Sequence, residues 1–196
     1  MSLVNLVSGG LDSTLIGVMA REEGIRTHPL FIDYGQRAGR REWETCQLVH
    51  QQLGLPAPTR MALSGFGEVI RSGLTSIDRD VKSEAFTPGR NLLFLLMGGA
   101  YAYQVGAGKV AIGLLTEKSS VFPDQQTGFI EQAERAIQAA LGRGIRIVTP
   151  LIEFSKADVA KLAREKGIRG TYSCHTGGEI ACGKCISCLE TVGMAN

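Results

Sequence analysis

No apolar run in this 196-residue chain approaches the ~20 residues that a membrane-spanning helix requires. No membrane association is expected. Net charge is almost absent: 21 Lys and Arg stand against 19 Asp and Glu, leaving +2. A chain so balanced lacks the broad basic footprint of a nucleic-acid-binding protein, and no nucleic-acid partner is expected. Aromatic residues are few, at 6%, yet 44% hydrophobic and 20% charged residues make an ordinary balance for a globular α/β protein. Cysteine is nearly missing from the first 173 positions, where Cys46 stands alone. The N-terminus shows no charged stretch followed by an apolar signal core. A cytoplasmic location is therefore expected, with cysteines reduced, metal-bound or catalytic rather than disulfide-bonded. No internal repeat or low-complexity stretch is visible.

What the chain does have is alternation. Residues 3–7, 27–33, 57–62, 109–114 and 145–148 read as strands. Residues 13–23, 40–53, 91–105, 129–141 and 156–166 carry helical patterns, the first two closed by Gly24 and Gly54. Strands separated by helices predict βαβ units, hence an α/β fold with a parallel five-stranded sheet flanked by helices. Residues 1–170 are expected to form that domain, and 171–196 a small metal-binding C-terminal segment. The stretch 64–88 has mixed polarity and no clear period, as a lid or an insertion would. Gly98-Gly99 interrupts an otherwise helical pattern, which points to close packing rather than chemistry.

Directly after the first strand comes Ser8-Gly9-Gly10-Leu11-Asp12-Ser13. A strand, a Gly-Gly turn and a helix start aim backbone N–H groups and the positive end of a helix dipole at one point, which makes an anion site. No Lys follows the glycines, so this is not a Walker loop, and the third glycine of a dinucleotide fingerprint is missing. The sequence resembles the PP-loop of ATP pyrophosphatases, which adenylate a substrate and release pyrophosphate. The competing reading is a plain strand-to-helix turn capped by Asp12 or Ser13.

Cys174, Cys182, Cys185 and Cys188 crowd into fifteen residues, the last three as Cys-x-x-Cys-x-x-Cys. Four thiolates at this density match a closed structural zinc site. An iron–sulfur cluster is the rival, because the same spacing occurs there. The surrounding glycines and polar residues give this tail no core of its own, so unligated thiols are disfavoured. Cys46 sits at a helical position and reads as a small buried apolar residue. His175 adjoins a cysteine ligand and could replace one, but four cysteines suffice.

Three further patches fall where a parallel sheet places its ligands, at the carboxyl ends of strands. They are Tyr34-Gly35-Gln36-Arg37, Pro88-Gly89-Arg90-Asn91 and Pro123-Asp124. Together with the PP-loop, Lys156 and Tyr172-Ser173-Cys174, they resemble the 7-cyano-7-deazaguanine synthase family of the queuosine pathway, almost end to end. The resemblance implies a Rossmann-like fold of the adenine nucleotide alpha hydrolase kind and a homodimer. It also implies an activity: a deazapurine carboxylate is adenylated by ATP, ammonia displaces AMP to give an amide, and a second activation yields the nitrile.

Carried over by position, Ser8, Gly9, Gly10, Leu11, Asp12 and Ser13, with Gln36 and Arg37, would bind ATP. Asp12 would face magnesium or hold the loop. Arg90, Asn91 and Asp124 would bind the carboxylate substrate, Asp124 by reading the donor edge of the base. Asp12, Arg90, Asp124 and Lys156 would serve the chemistry, Lys156 as a point charge near the transferred group. Bland readings compete: Arg37 lies in a basic run with Arg40 and Arg41, Arg90 could cap local carbonyls, Asp124 could cap the helix near Thr127, and Lys156 could be a surface residue.

The chain departs from the family pattern at Ala38, where His is usual, at Gln125, where Cys is usual, and at Lys118, where an acid is expected. The Arg that usually follows the last Cys is absent, with Leu189-Glu190-Thr191 there instead. These changes keep the ATP and metal features and fall around the expected acceptor pocket. A PP-loop ligase acting on another carboxylate therefore stands beside the leading reading. A tRNA-thiolating enzyme and a nucleotide-binding module without chemistry are the remaining alternatives.

Overall fold

A computed structural model of the chain describes residues 1–116 and 122–192. Five strands form one sheet: β1 (Ser2–Val7), β2 (Arg26–Asp33), β3 (Thr59–Ala62), β4 (Lys109–Ala111) and β5 (Arg146–Val148). Their order is β3-β2-β1-β4-β5, and every pairing is parallel. Seven α-helices accompany them among the described residues: α1 (Leu11–Glu22), α2 (Gly39–Gln52), α3 (Gly65–Val69), α4 (Arg90–Val105), α5 (Thr127–Leu141), α6 (Lys156–Glu165) and α7 (Ile186–Val192). The expected α/β class and five-stranded parallel sheet are borne out.

The central strand is buried on both faces, apolar apart from Asn5, because helices cover both. Val4 and Leu6 point into one core with Leu95 of α4, Ile137 of α5 and Val110 of β4. Leu3 points the other way, toward Leu15 and Val18 of α1 and Val159 of α6. α2 closes this second layer, with Trp43 and Cys46 packed on Val7 and Phe31. The glycine pair in α4 works by contact, as expected. A Cβ on Gly98 would lie 2.8 Å from Val110, and one on Gly99 would lie 2.7 Å from Ile137. The helix thus sits directly on the sheet and against α5.

Some boundaries differ from expectation. β3 begins at Thr59 rather than 57, since Pro56 and Pro58 have no N–H to give a ladder. β4 ends at Ala111 rather than 114. Beyond it Leu114 N–H turns back to the Ile112 carbonyl (3.0 Å), where Gly113 skirts Asp12. The short helices α3 and α7 carry too few turns to show a period.

The stretch 64–88 is an ordered insertion, not a bare loop. The Ser72 and Thr87 hydroxyls lie 2.6 Å apart, and Gly73 N–H donates to the Glu84 carbonyl at 2.7 Å. Val81 packs against Cys174, Cys185 and Cys188. Position 118 lies outside the described residues.

Strands β1, β2 and β3 step outward on one side. The chain then returns through α4 to place β4 on the opposite side of β1. The carboxyl ends of β1 and β4 therefore form the topological switch point, where open α/β sheets hold their ligands.

Candidate active site

The phosphate loop leaves β1 at this switch point. Its first glycine is forced: Gly9 has φ +76°, and a Cβ there would lie 2.7 Å from the Glu42 carbonyl oxygen and 2.9 Å from the Cys46 nitrogen. Helix α2 has approached so closely that only glycine fits. The N-cap of α1 is Gly10, and no side chain caps it. The side-chain-capped turn is thereby excluded, and the opening N–H groups of α1 keep their dipole end open to an anion. Ser13 Oγ accepts from the Ser8 N–H at 3.3 Å, and Ser8 Oγ from the Gly10 N–H at 3.3 Å, which braces the loop from within. The Asn5 amide bonds the Ser13 carbonyl at 3.0 Å from beneath.

A cavity of about 630 Å³ opens over the loop, lined by Ser8, Gly10, Leu11, Asp12 and Ser13 on its floor. Lys156, the first residue of α6, reaches Asp12 with Nζ 2.9 and 2.8 Å from the two carboxylate oxygens. Arg90 and Asn91, at the start of α4, line the same cavity. The Arg90 guanidinium stacks over Phe94, 5.9 Å from the ring centre. Its Nε is buried with no hydrogen-bond partner among the described residues, as is Nδ1 of His175. Burial, with Arg90 and Lys156 nearby, holds His175 down at about 4 and hence neutral.

Gln36 also lines the cavity, and its orientation is fixed. Its Oε1 accepts from the Tyr34 N–H at 2.9 Å, so its amide nitrogen faces outward and donates to Glu42 Oε2 at 3.0 Å. Burial pushes the Glu42 carboxyl up to about 7, against the opposing pull of Gln36 and Arg90. Nothing in the sequence singles out Glu42, because an acid in the first turn of a helix is commonplace; its place six residues after Gln36 is the available signal. Glu190 of α7 stands out in the sequence only as a departure from the family pattern. It lines the cavity beside Asp12 and Lys156, and burial raises its carboxyl.

Not every sequence candidate reaches this cavity. The Arg37 guanidinium donates to the Gly73 carbonyl at 3.1 Å, and its N–H to the Leu74 carbonyl at 2.8 Å. It clasps the insertion and is absent from the cavity wall. Asp124 is absent from the wall too. Its backbone carbonyl accepts from Asn91 at 3.0 Å, while its own Oδ1 is buried without a partner among the described residues. Gly9 lies behind the loop rather than in the lining. Three departures from the family pattern do face the cavity: Ala38, Gln125 and Glu190. Cys46 is fully buried, and burial raises its thiol to about 12, which removes it as a nucleophile.

The four C-terminal cysteines converge, with all sulfurs within 4.8 Å of one another and those of Cys182 and Cys188 3.9 Å apart. Tetrahedral thiolate ligation at ~2.3 Å from one ion sets sulfurs about 3.8 Å apart, so the arrangement fits a single metal ion. Backbone N–H groups of Cys182, Cys185 and Cys188 point at the sulfurs of Cys174, Cys182 and Cys185, at 3.3 to 3.4 Å. Such donors favour thiolates. The cysteine cluster touches the phosphate loop through the chain itself: Tyr172 N–H donates to the Gly9 carbonyl at 3.0 Å.

These features have counterparts in known proteins. The chain is 37% identical to the 7-cyano-7-deazaguanine synthase of Acetivibrio thermocellus, over 95% of this chain and 89% of that one. It is 30% identical to the enzyme of the same name from Methanosarcina mazei, over 97% and 91%. Solved structures share the fold at low identity. NMN synthetase from Francisella tularensis matches with a TM-score of 0.54 at 16% identity, over 91% of this chain and 68% of that one. The U34-tRNA thiolase NcsA from Methanococcus maripaludis matches with 0.56 at 13%, over 98% and 65%. The profile of the family described as "Queuosine biosynthesis protein QueC" spans residues 2–192. By that span and these identities, the chain belongs to the QueC family of queuosine biosynthesis proteins.

Proposed function

We propose that this chain is a carbon–nitrogen ligase that converts 7-carboxy-7-deazaguanine and ammonia to 7-cyano-7-deazaguanine, using ATP. The observation that carries the reading is the uncapped start of α1, opening with Asp12 and Lys156 into a cavity that Arg90 and Asn91 also line.

A substrate carboxylate oxygen attacks the α-phosphorus of ATP, and pyrophosphate leaves. The N–H groups at the start of α1, with the Ser8 and Ser13 hydroxyls, are suited to receive that pyrophosphate. Lys156 offers a positive charge to the developing phosphate charge, and Arg90 can grip a carboxylate or phosphate with two donors. Asp12 is the acid that would face the magnesium accompanying ATP. Ammonia then adds to the acyl carbon, AMP departs and an amide remains. A second ATP activates the amide oxygen, and loss of AMP and the nitrogen-bound protons leaves the nitrile. Adenylation makes the carbon reactive, so no covalent nucleophile on the protein is required.

The cysteine knot is assigned to structural zinc. The sulfurs lie close enough for one ion, whereas bridging sulfides and several irons would spread them further. Zinc there would tie residues 174–188 to the domain and, through Tyr172, steady the phosphate loop.

A second reading, adenylation of a different carboxylate, is favoured by Ala38, Gln125 and Glu190 all facing the cavity. Purified protein with ATP, magnesium, ammonia and 7-carboxy-7-deazaguanine separates the two. Nitrile and AMP are expected. AMP released only with another carboxylate moves the assignment to the second reading, and no AMP with any acceptor makes the chain a nucleotide-binding module.

A further inference from the structure

Three carboxylates line the cavity among the described residues: Asp12, Glu42 and Glu190. Asp12 is held by Lys156 at the phosphate loop, and Glu190 lies within the electrostatic reach of that same pair. Glu42 stands apart, among Tyr34, Gln36 and Arg90, and the adenylation chemistry gives it nothing to do. Its one hydrogen-bond donor among the described residues is the neutral amide of Gln36, on Oε2. A carboxylate has about four acceptor positions, so most of its capacity is open to the cavity from a half-buried side chain. A ligand entering with two donors would take it up.

We propose that Glu42 is the specificity-determining residue for the base of the substrate, accepting hydrogen bonds from the ring N–H and exocyclic amino group of an amino-lactam edge. The assignment rests on the proposed function. Asp124, the sequence candidate for this role, stands outside the cavity wall. The polarity of the cavity also matches that of the ligand. A deazapurine carboxylate carries two parallel N–H donors at one end and an anion at the other. Glu42 is an acceptor at the Gln36 side of the cavity, where Arg90 also stands, and Lys156 is a cation at the phosphate loop. Tyr34 and Phe94, 5.2 Å apart in an edge-on pair, give the same cavity aromatic surface. Gln36 aims the carboxylate, since Oε1 of the amide is committed to the Tyr34 N–H. Two donors from the base would also offset the burial that raises the carboxyl.

The test combines Glu42→Gln with a substrate lacking the amino group, 7-carboxy-7-deazahypoxanthine, in steady-state kinetics. Hydrogen bonds to a charged group predict that Glu42→Gln raises KM for 7-carboxy-7-deazaguanine by about 10- to 100-fold and leaves KM for ATP unchanged. Wild-type enzyme should lose a similar factor on the deaminated substrate, and combining the two changes should add little further. A rise in KM for ATP instead assigns Glu42 to the adenine or ribose and overturns the proposal. Independent, multiplying penalties overturn it as well. If Glu42→Gln fails to fold, wild-type indifference to the missing amino group is enough to reject it. Wild-type turnover with an unaffected variant rejects this assignment alone, whereas no nitrile from the wild type rejects the proposed function beneath it.

Discussion

Lys156 Nζ bonds both carboxylate oxygens of Asp12, joining the first turns of two helices 144 residues apart in sequence. An acid in the first turn of α1 suits that helix's dipole, but a lysine at the first position of α6 does not. Lys156 therefore stands where helix electrostatics oppose it, which is what a residue placed for chemistry looks like. The pair is roughly three-quarters buried, with side-chain exposures of 22% and 25%. Lys156→Met and Asp12→Asn should each cut AMP release by at least about 100-fold. Turnover within a few-fold of wild type in either variant removes the pair from the mechanism.

Gly9→Ala combines a left-handed backbone with a Cβ placed 2.7 Å from the Glu42 carbonyl oxygen. Neither contact belongs to a side chain that can swing away. The expected cost is about 2 kcal/mol or more, which lowers Tm by roughly 4–8 °C in a chain of this size. A thermal melt and an ATP titration check it. An unchanged Tm means that α2 is free to retreat.

Metal analysis should find one zinc per chain, and Cys185→Ser should lose it. Cys185 is fully buried against Val81 of the insertion. Losing the knot should therefore loosen 72–88 and 171–190 together, read as faster backbone hydrogen exchange in both segments. It should also weaken ATP binding through the Tyr172 bond to Gly9. Loss of zinc without any change in exchange makes the metal dispensable to the fold. A brown, iron-loaded protein overturns the metal assignment.

Glu42 predicts how stability responds to pH. Its carboxyl titrates at about 7 when folded, above its ordinary value of 4.5. Between those two values the folded state keeps a proton that the unfolded chain releases, so this group's contribution to stability falls as pH rises and levels off above about 7. The groups facing it include Gln36, Asp33 and Tyr34 from the β2 end, Cys46 from its own helix, Arg90 from α4 and Tyr172 from the tail. Glu42→Gln should remove this slope, making the variant more stable than wild type at pH 8 and similar near pH 4.5. Parallel melting curves for the two proteins across that range count against the buried carboxyl.

Contiguous features were legible in the sequence, and assembled ones were not. Ser8–Ser13 and the four cysteines carry their geometry in their spacing, and the structure brings each set together. Arg37 and Asp124 sat in equally suggestive strings. Their destinations depended on segments without any period: the insertion whose Gly73 carbonyl captures Arg37, and the turn after 121 that Asn91 holds by its backbone. Glu42 shows the reverse case. Nothing local marks it, and it matters because Gln36, Arg90 and the close approach of α2 enclose it. Sheet order was equally silent in the periodicity, since a strand pattern does not say which neighbour it will pair with.

The strand order carries a further consequence, for how the chain is made. β1 precedes the other four strands in the chain, yet it ends in the middle of the sheet. Its β2 edge can be paired once residue 33 is made, while its other edge must wait for Lys109–Ala111 to meet Leu3–Asn5. Until then an apolar strand edge stays open on the nascent chain, a template for pairing with another copy. Chains interrupted before residue 109 should therefore aggregate, and the switch point at β1 stays open until β4 arrives, with only β5 left to add.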